Sequence, residues 1–334
     1  MDPLMLRSVG LALALWLSVG CGNALAQRPS FGPLTFEEGA PINRMSYTPM
    51  MESADVAPAG SLEASLYLGL SNMFEHDSSA THFIFVDMER LITAPSVRWG
   101  LAEDLELGGR LTFETRSGGF LDGPVRWYHN LLGFGQANRD VFPEEGYRYE
   151  LGDGSGTTYI EVAPKWLVLE DVRLWGKWRA LRSSDGRSVL SLKGVVRVPT
   201  SENVVGEERT DVGLMALGRL GVGAWYLHGM MGASTVRAAP AIGPMLVDPS
   251  VFFSFAVERS LGSSVAGIFQ YQLSTPALRG YDDRELDWPL SDVIFGVAGA
   301  FGEGWGWNVS FQEDLPADAP AIDFTVGAAI SRSW

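Results

Sequence analysis

Leu190-Ser191-Leu192-Lys193-Gly194-Val195-Val196-Arg197-Val198 is the stretch that decides the fold. Leu190, Leu192, Gly194, Val196 and Val198 are apolar or small, and Ser191, Lys193, Val195 and Arg197 stand between them. In a strand, successive side chains point to opposite faces. Here one face suits lipid and the other suits water, which is how a transmembrane β-barrel strand is built.

The same period of 2 recurs on both sides of this stretch. Leu105, Leu107, Gly109, Leu111 and Phe113 alternate with Glu106, Gly108, Arg110, Thr112 and Glu114. Val172, Leu174, Gly176, Trp178 and Ala180 alternate with Asp171, Arg173, Trp175, Lys177 and Arg179. Similar runs cover 264–273 and 305–312. Twelve strands are expected: 61–74, 80–99, 104–115, 166–182, 187–199, 209–220, 222–235, 249–260, 263–275, 290–302, 304–314 and 320–334. A tilted strand needs roughly 9–11 residues to cross a bilayer, and an even count is what bacterial single-chain barrels have. Connections alternate between tight and long, as periplasmic turns and extracellular loops do. The longest, 116–165, would lie outside. Tyr159-Ile160-Glu161-Val162 has strand character, so fourteen strands is the alternative. The expected fold is thus all-β: an up-and-down antiparallel transmembrane barrel over 61–334.

Composition agrees. The chain is 46% hydrophobic with eleven tryptophans and 39 glycines, yet it has no apolar run long enough for a spanning helix. Residues 1–26 read as a signal peptide. Arg7 supplies the positive end, Val9 to Val19 the short apolar run, and Ala24-Leu25-Ala26 the cleavage pattern, with Gln27 first in the mature chain. Met5 is an alternative start, and Ser18 before Cys21 argues for simple cleavage over lipidation. Cys21 is the single cysteine, so a chain cut at Ala26 has no thiol chemistry. A net charge of −15 argues against a nucleic-acid partner.

The segment 27–60 carries Pro29, Pro33, Pro41, Pro49 and Pro58. Proline removes ladder donors, so this is a poor strand region. It is either a periplasmic lead-in or a plug, and composition favours a partly ordered lead-in. The chain ends on Trp334, closing the alternation Phe324, Val326, Ala328, Ile330, Arg332, Trp334. A terminal aromatic on such a strand resembles the signal read by the barrel-assembly machinery. That machinery and outer-membrane lipid are the expected partners. Trp99, Trp175, Trp178, Trp225, Trp305 and Trp334 fall near strand ends, where interfacial girdles use them.

The long loop holds the most distinctive string, Gly118-Gly119-Phe120-Leu121-Asp122-Gly123-Pro124-Val125-Arg126-Trp127-Tyr128-His129-Asn130-Leu131-Leu132-Gly133-Phe134-Gly135. Arg139, Pro143 and Tyr147-Arg148-Tyr149 follow it. With Gly32-Pro33-Leu34 and the Asp87-x-Glu89 pair, this resembles the signature of a family of uncharacterised bacterial outer-membrane β-barrel proteins. The likeness covers nearly the whole mature chain. It implies the barrel fold and no activity.

Two sets of residues are candidates for function. Arg173, Lys177, Arg179, Lys193, Arg197 and Arg219 are expected on one lumen wall. Glu63, Glu106 and Glu114, together with Asp87 and Glu89, are expected on another, with Arg110 among them. Opposed walls would set a transverse field across a narrow lumen and orient a small polar solute. The structural alternative is a network of paired charges that fills the lumen. In the loop, Asp122-Gly123-Pro124 predicts a helix start. Leu121, Val125, Tyr128 and Leu132 recur at near-helical spacing, with Gly133 to cap the end. Asp122, Trp127 and His129 are the candidate constriction residues of a gate at 117–135, set in the mouth or on the rim; the alternative is a rim helix that only braces the loops. His129 can change charge near neutral pH.

The leading expectation is therefore a channel or binding barrel for a small solute, with no cofactor. The alternatives are a lipid-acting enzyme and a closed structural or surface-interaction barrel. Catalysis is disfavoured: of His76, His82, His129 and His228 only His129-Asn130 is a suggestive pair, and there is no G-x-S-x-G elbow. Asp282, Asp283, Glu285 and Asp287 match no known Ca²⁺ loop spacing, so no metal is expected.

Overall fold

The computed structural model describes residues 30–37, 39, 47–132, 142, 145–200, 210–235, 249–276, 289–314 and 324–334. The leader, its cleavage point, Cys21 and the acidic cluster at 282–287 lie outside the described residues, as does the expected cap at Gly133.

Alternation builds a closed antiparallel sheet. In chain order the strands are β1 (Leu62–Ser78), β2 (His82–Ala102), β3 (Leu105–Ser117), β4 (Arg148–Asp153), β5 (Thr158–Glu161), β6 (Lys165–Arg182) and β7 (Val189–Pro199). They continue with β8 (Asp211–Val222), β9 (Trp225–Ser234), β10 (Ser250–Ser260), β11 (Val265–Ser274), β12 (Leu290–Phe301), β13 (Trp305–Asp314) and β14 (Phe324–Ser333). One helix, α1 (Asp122–Leu132), lies between β3 and β4. Each barrel strand pairs with its neighbour in sequence, except that β3 pairs with β6. The first and last strands close the ring, with Glu63 opposite Ser333 and Asn72 opposite Phe324. Leu62 and Trp334 seal the seam through reciprocal backbone hydrogen bonds of 3.3 and 2.9 Å.

The result is a twelve-stranded up-and-down barrel with two further strands outside the ring. The Tyr159 region does form a strand, but as half of the β4–β5 hairpin. That hairpin pairs with the far end of β2, Asp87 opposite Arg148, where β3 has already left the sheet. So fourteen strands exist without a fourteen-stranded ring. β1, β2 and β6, at 17, 21 and 18 residues, exceed what a bilayer crossing needs and project at the long-loop end. Tight turns mark the opposite end. Between β12 and β13 the chain turns through Gly304 at φ 74°, where an added Cβ would sit 2.5 Å from the Ser333 carbonyl. Only glycine fits there.

The two faces have opposite chemistry. Leu66, Leu107, Leu192, Leu214, Phe253, Phe295 and Ile330 face outward and stay exposed, a band that lipid would cover. Trp99, Trp178 and Trp334 join that outer face. Trp175 does not: it turns into the lumen and donates from Nε1 to Glu106 at 3.1 Å. The buried apolar core is inside the ring. Leu34, Phe36, Met50, Met51 and Ala54 pack there against Tyr67, Ile92, Val195, Met230, Phe252, Ile268 and Ile294 of the wall.

The described parts of 27–60 therefore run through the lumen, whereas composition favoured a lead-in. Prolines keep this segment out of the sheet, but its apolar side chains still need cover. The wall anchors its backbone. Leu34 N donates to Gln270, Ala57 N donates to Glu106 at 2.9 Å, and the Ala54 carbonyl accepts from Ser191 at 2.6 Å. Backbone polar groups that cannot join a ladder need such partners when buried.

Candidate functional site

The lumen is the candidate site, and its wall divides into two halves. β9 to β14 present mostly small or neutral side chains inward, among them Ser254, Gln270, Gln272, Ser310 and Thr325. β2, β3, β6, β7 and β8 present charges. The expectation of two opposed charged walls is corrected by register. β3 and β6 are adjacent, so Glu106 sits directly opposite Lys177 and pairs with it at 3.2 Å. Acids and bases thus interleave along one arc instead of facing each other across the barrel.

Most of the predicted charges pair within this arc. Glu114, with no exposed surface, meets Arg90 at 2.5 Å, and Arg90 also reaches Glu170 at 2.6 Å. Arg197 bridges Asp171 and Asp211, each at 3.1 Å. Arg98 pairs with Glu63 at 2.8 Å. Arg179 lies at the short-turn end and binds Asp104 of the β2–β3 turn at 2.7 Å. Asp87 and Glu89 are not in the lumen. They alternate with inward-facing Met88 and Arg90, and so take the outer side of β2.

A second set of pairs joins the wall to the N-terminal segment. Glu37 meets Arg110 at 3.0 Å and Arg173 at 2.9 Å. Glu52 pairs with Lys193, and Asp55 with Arg219 at 2.5 Å. Glu258 of β10 holds the same segment from the neutral half. It accepts from Ser30 Oγ at 2.6 Å, Phe31 N at 2.8 Å and Gly32 N at 3.2 Å, and lies 3.0 Å from His228 Nε2. Sequence reasoning named the wall cations but missed their partners Glu37, Glu52 and Asp55. The available signal was an excess of inward cations on the wall, with acids in the proline-rich stretch to answer it.

Between wall and segment an internal cavity of about 380 Å³ remains toward the short-turn end. Arg98, Arg110, Arg173, Lys177 and Lys193 line it, with Glu37, Glu52, Asp55, Glu63 and Glu106. Aromatic rings of the cavity lining stand against the cations: Trp175 lies 4.3 Å from Lys193 Nζ, and Tyr47 lies 5.6 Å from the Arg173 guanidinium. A polar solute would meet both signs of charge and two π faces here.

The loop helix forms as predicted but lies elsewhere. Asp122 is buried; it accepts from Glu145 N at 2.7 Å and from Asn72 Nδ2 at 3.5 Å. Glu89 accepts from the backbone N–H groups of Phe120, at 2.6 Å, and Leu121. Leu121 and Val125 pack on Leu70, Phe311 and Phe324, and Tyr128 OH donates to Glu313 at 3.0 Å. Leu70, Phe311, Glu313 and Phe324 all belong to the outward register of their strands. So α1 rests on the outside of the barrel at the long-loop end. Trp127 is 67% exposed and points away from the wall, and His129 is buried against Tyr128 at 5.4 Å between centroids. The constriction expected from Asp122, Trp127 and His129 gives way to an external brace. The lumen is occupied by the N-terminal segment instead.

A family model described as "Protein of unknown function (DUF3187)" matches residues 12–334. No curated protein matches the chain. Among solved structures it is similar to the COG4313 outer membrane channel from Pseudomonas putida F1. The TM-score is 0.56 at 11% identity, covering 86% of this chain and 100% of that one. The NanC porin gives a TM-score of 0.48 at 8% identity, covering 80% and 98%. The KdgM porin gives 0.42 at 5%, covering 81% and 99%. At these identities the likeness concerns the fold alone, and of these three the COG4313 channel has the TM-score above 0.5.

Proposed function

We propose a function from the premise that this chain belongs to the family of proteins of unknown function DUF3187: it is an outer-membrane barrel that passes or binds a small polar solute. Its route is the charged side of the lumen, closed in this conformation by the described residues 30–37 and 47–57. The observation that carries this reading is the 380 Å³ cavity between wall and segment, lined by five cations and five carboxylates. A barrel whose inside served only as packing would have no reason to keep such a space polar. The exposed apolar band supports placement in lipid, and the terminal strand ending on Trp334 supports recognition by the barrel-assembly machinery. Export through a leader cut near Ala26 fits that placement.

The test locks the segment to the wall. Ser191 Oγ lies 2.6 Å from the Ala54 carbonyl, so Ala54→Cys and Ser191→Cys, in a chain carrying Cys21→Ser, stand on touching parts of segment and wall, and loss of free thiol on oxidation reports that the lock has formed. Reduced protein in planar bilayers should conduct, and oxidation should cut the current at least tenfold. Equal currents in both states would show that passage does not need the segment to move. No current in either state would favour the second reading, a closed structural barrel, which the extensive pairing of lumen charges supports. Catalysis at His129 has no support from its packing against Tyr128.

A further inference from the structure

The lumen cations fall into two classes by the origin of their counter-charge. Arg90, Arg98, Lys177 and Arg197 find carboxylates on the wall itself. Arg110, Lys193 and Arg219 find theirs on the N-terminal segment alone, among the described residues. Arg173 belongs to both, held by Asp171 at 3.0 Å and by Glu37 at 2.9 Å. The second class is ordered across adjacent strands. Arg110 and Arg173 are direct partners across β3 and β6; Lys193 on β7 lies level with Lys177, four residues nearer the short-turn end than Arg173, and Arg219 on β8 lies level with Val189, four residues further the same way. Three carboxylates of one strap thus satisfy a row of four bases on the wall.

Such a row is costly without anions. Like charges in neighbouring positions repel, and buried charges need partners. Wherever the strap leaves, something else must bring negative charge. Arginine forks suit carboxylates, and the strap's own groups show where those oxygens sit. The cavity already opens onto Arg110, Arg173 and Lys193.

We propose that Glu37, Glu52 and Asp55 occupy the binding site of an acidic solute. This solute carries two or more carboxylates and takes their place along Arg110, Arg173, Lys193 and Arg219. The inference rests on the solute-passing reading above and names its substrate class. Displaced and displacing groups have the same chemistry, so exchange leaves every base paired. A neutral solute would strip the row of its partners and gain nothing in return.

The test uses the full chain with E37Q, E52Q and D55N together, which keeps the strap's shape and removes its charge. Citrate is the probe, and sucrose the neutral comparator. Calorimetry should show citrate binding at least tenfold tighter to the triple variant than to the natural chain, weakening with salt, and no sucrose binding to either. In a KCl gradient, the reversal potential of the variant should move toward that of chloride. Adding K193Q and R219Q should abolish both effects. If the triple variant does not fold, E52Q alone, whose side chain is 36% exposed, should give a smaller gain of about threefold. Unchanged citrate affinity in a folded variant overturns the proposal. Citrate binding without conductance upholds the site and sinks the passage reading. Conductance with neither citrate binding nor chloride preference does the reverse.

Discussion

Lys177 and Lys193 stand directly opposite each other on β6 and β7, yet each ends on a different carboxylate. Lys177 takes Glu106 of the wall at 3.2 Å, and Lys193 takes Glu52 of the N-terminal segment. Like charges in a direct cross-strand pair are unfavourable, so both counter-charges are needed. Lys193→Ala should therefore loosen the segment, because Glu52 loses its partner. Partial exposure of Glu52 limits the cost to about 1–3 kcal/mol. Urea unfolding in micelles would measure it. The double change Lys193→Ala with Glu52→Ala should cost less than the two single changes summed.

Glu258 is the segment's anchor on the neutral half, with Ser30, Phe31 and Gly32 all donating to it. Glu258→Gln keeps the shape but replaces a charged acceptor with a weaker one, and puts a donor where N–H groups point. Hydrogen bonds to charged groups contribute roughly 1.5–3 kcal/mol each. Amide exchange at Phe31 and Gly32 should then speed up at least tenfold, with exchange in β10 nearly unchanged. Equal protection in both proteins would mean that apolar packing of Leu34 and Phe36 holds the segment without help.

How much of this was legible follows from range. Leu190 to Val198 carries its own strand assignment, because period 2 is a local signal. Asp122-Gly123-Pro124 announces its helix for the same reason. What α1 packs against is not local. It depends on Glu89 and Asn72 both facing outward, which only the registers of β1 and β2 settle. The two charged walls differ for a related reason: that β3 and β6 are consecutive barrel strands is legible, but the register that sets Glu106 level with Lys177 is not. Among the described residues, none of the proline-rich stretch up to 60 joins a strand, in keeping with its prolines. They say nothing of where Leu34, Phe36 and Met50 find cover.

Arg90 has no exposed surface and bridges two carboxylates that have none either, Glu114 and Glu170. Its Nη1 also donates to the Gly39 carbonyl at 2.8 Å. Arg90→Met should be the most damaging single change in the lumen, about 3–5 kcal/mol, because it takes the shared counter-charge from two buried acids, with Arg116 still 3.2 Å from Glu114. Adding Glu114→Gln and Glu170→Gln to Arg90→Met should recover a large part of the loss. Heat-modified mobility on gels, which separates folded from unfolded barrels, would register both steps.

Trp127 and Leu131, one helical turn apart, are 67% and 65% exposed on the side of α1 that faces away from the barrel. An apolar pair held against the outside of a membrane barrel should lie in the outer interface. Nitroxide labels at 127 and 131, in a chain carrying Cys21→Ser, should be relaxed more by oxygen than by a water-soluble nickel chelate. A label at Ser184, exposed in the turn between β6 and β7, should show the opposite preference. Equal behaviour at all three sites would place α1 in water.

Asp153 gives the β4–β5 hairpin a pH dependence whose sign is fixed by its hydrogen bonds. Its carboxylate accepts from Ser155 Oγ at 2.6 Å, from the N–H groups of Ser155 and Thr157, each at 2.9 Å, and from Tyr159 OH at 3.1 Å. The Ser155 hydroxyl above all, then the Thr157 amide, hold this carboxyl well below the ordinary aspartate value of 3.8. A group depressed in the folded state contributes its stability fully above the unfolded value and loses it as pH falls through the folded one. The hairpin turn should thus be unaffected from neutrality down to about pH 4 and loosen only below it. Asp153→Asn should loosen it at every pH and flatten the profile. Amide exchange at Ser155 and Thr157, corrected for the intrinsic rate at each pH, is the direct readout. A turn that loosens between pH 7 and 5 would assign the switch to another group.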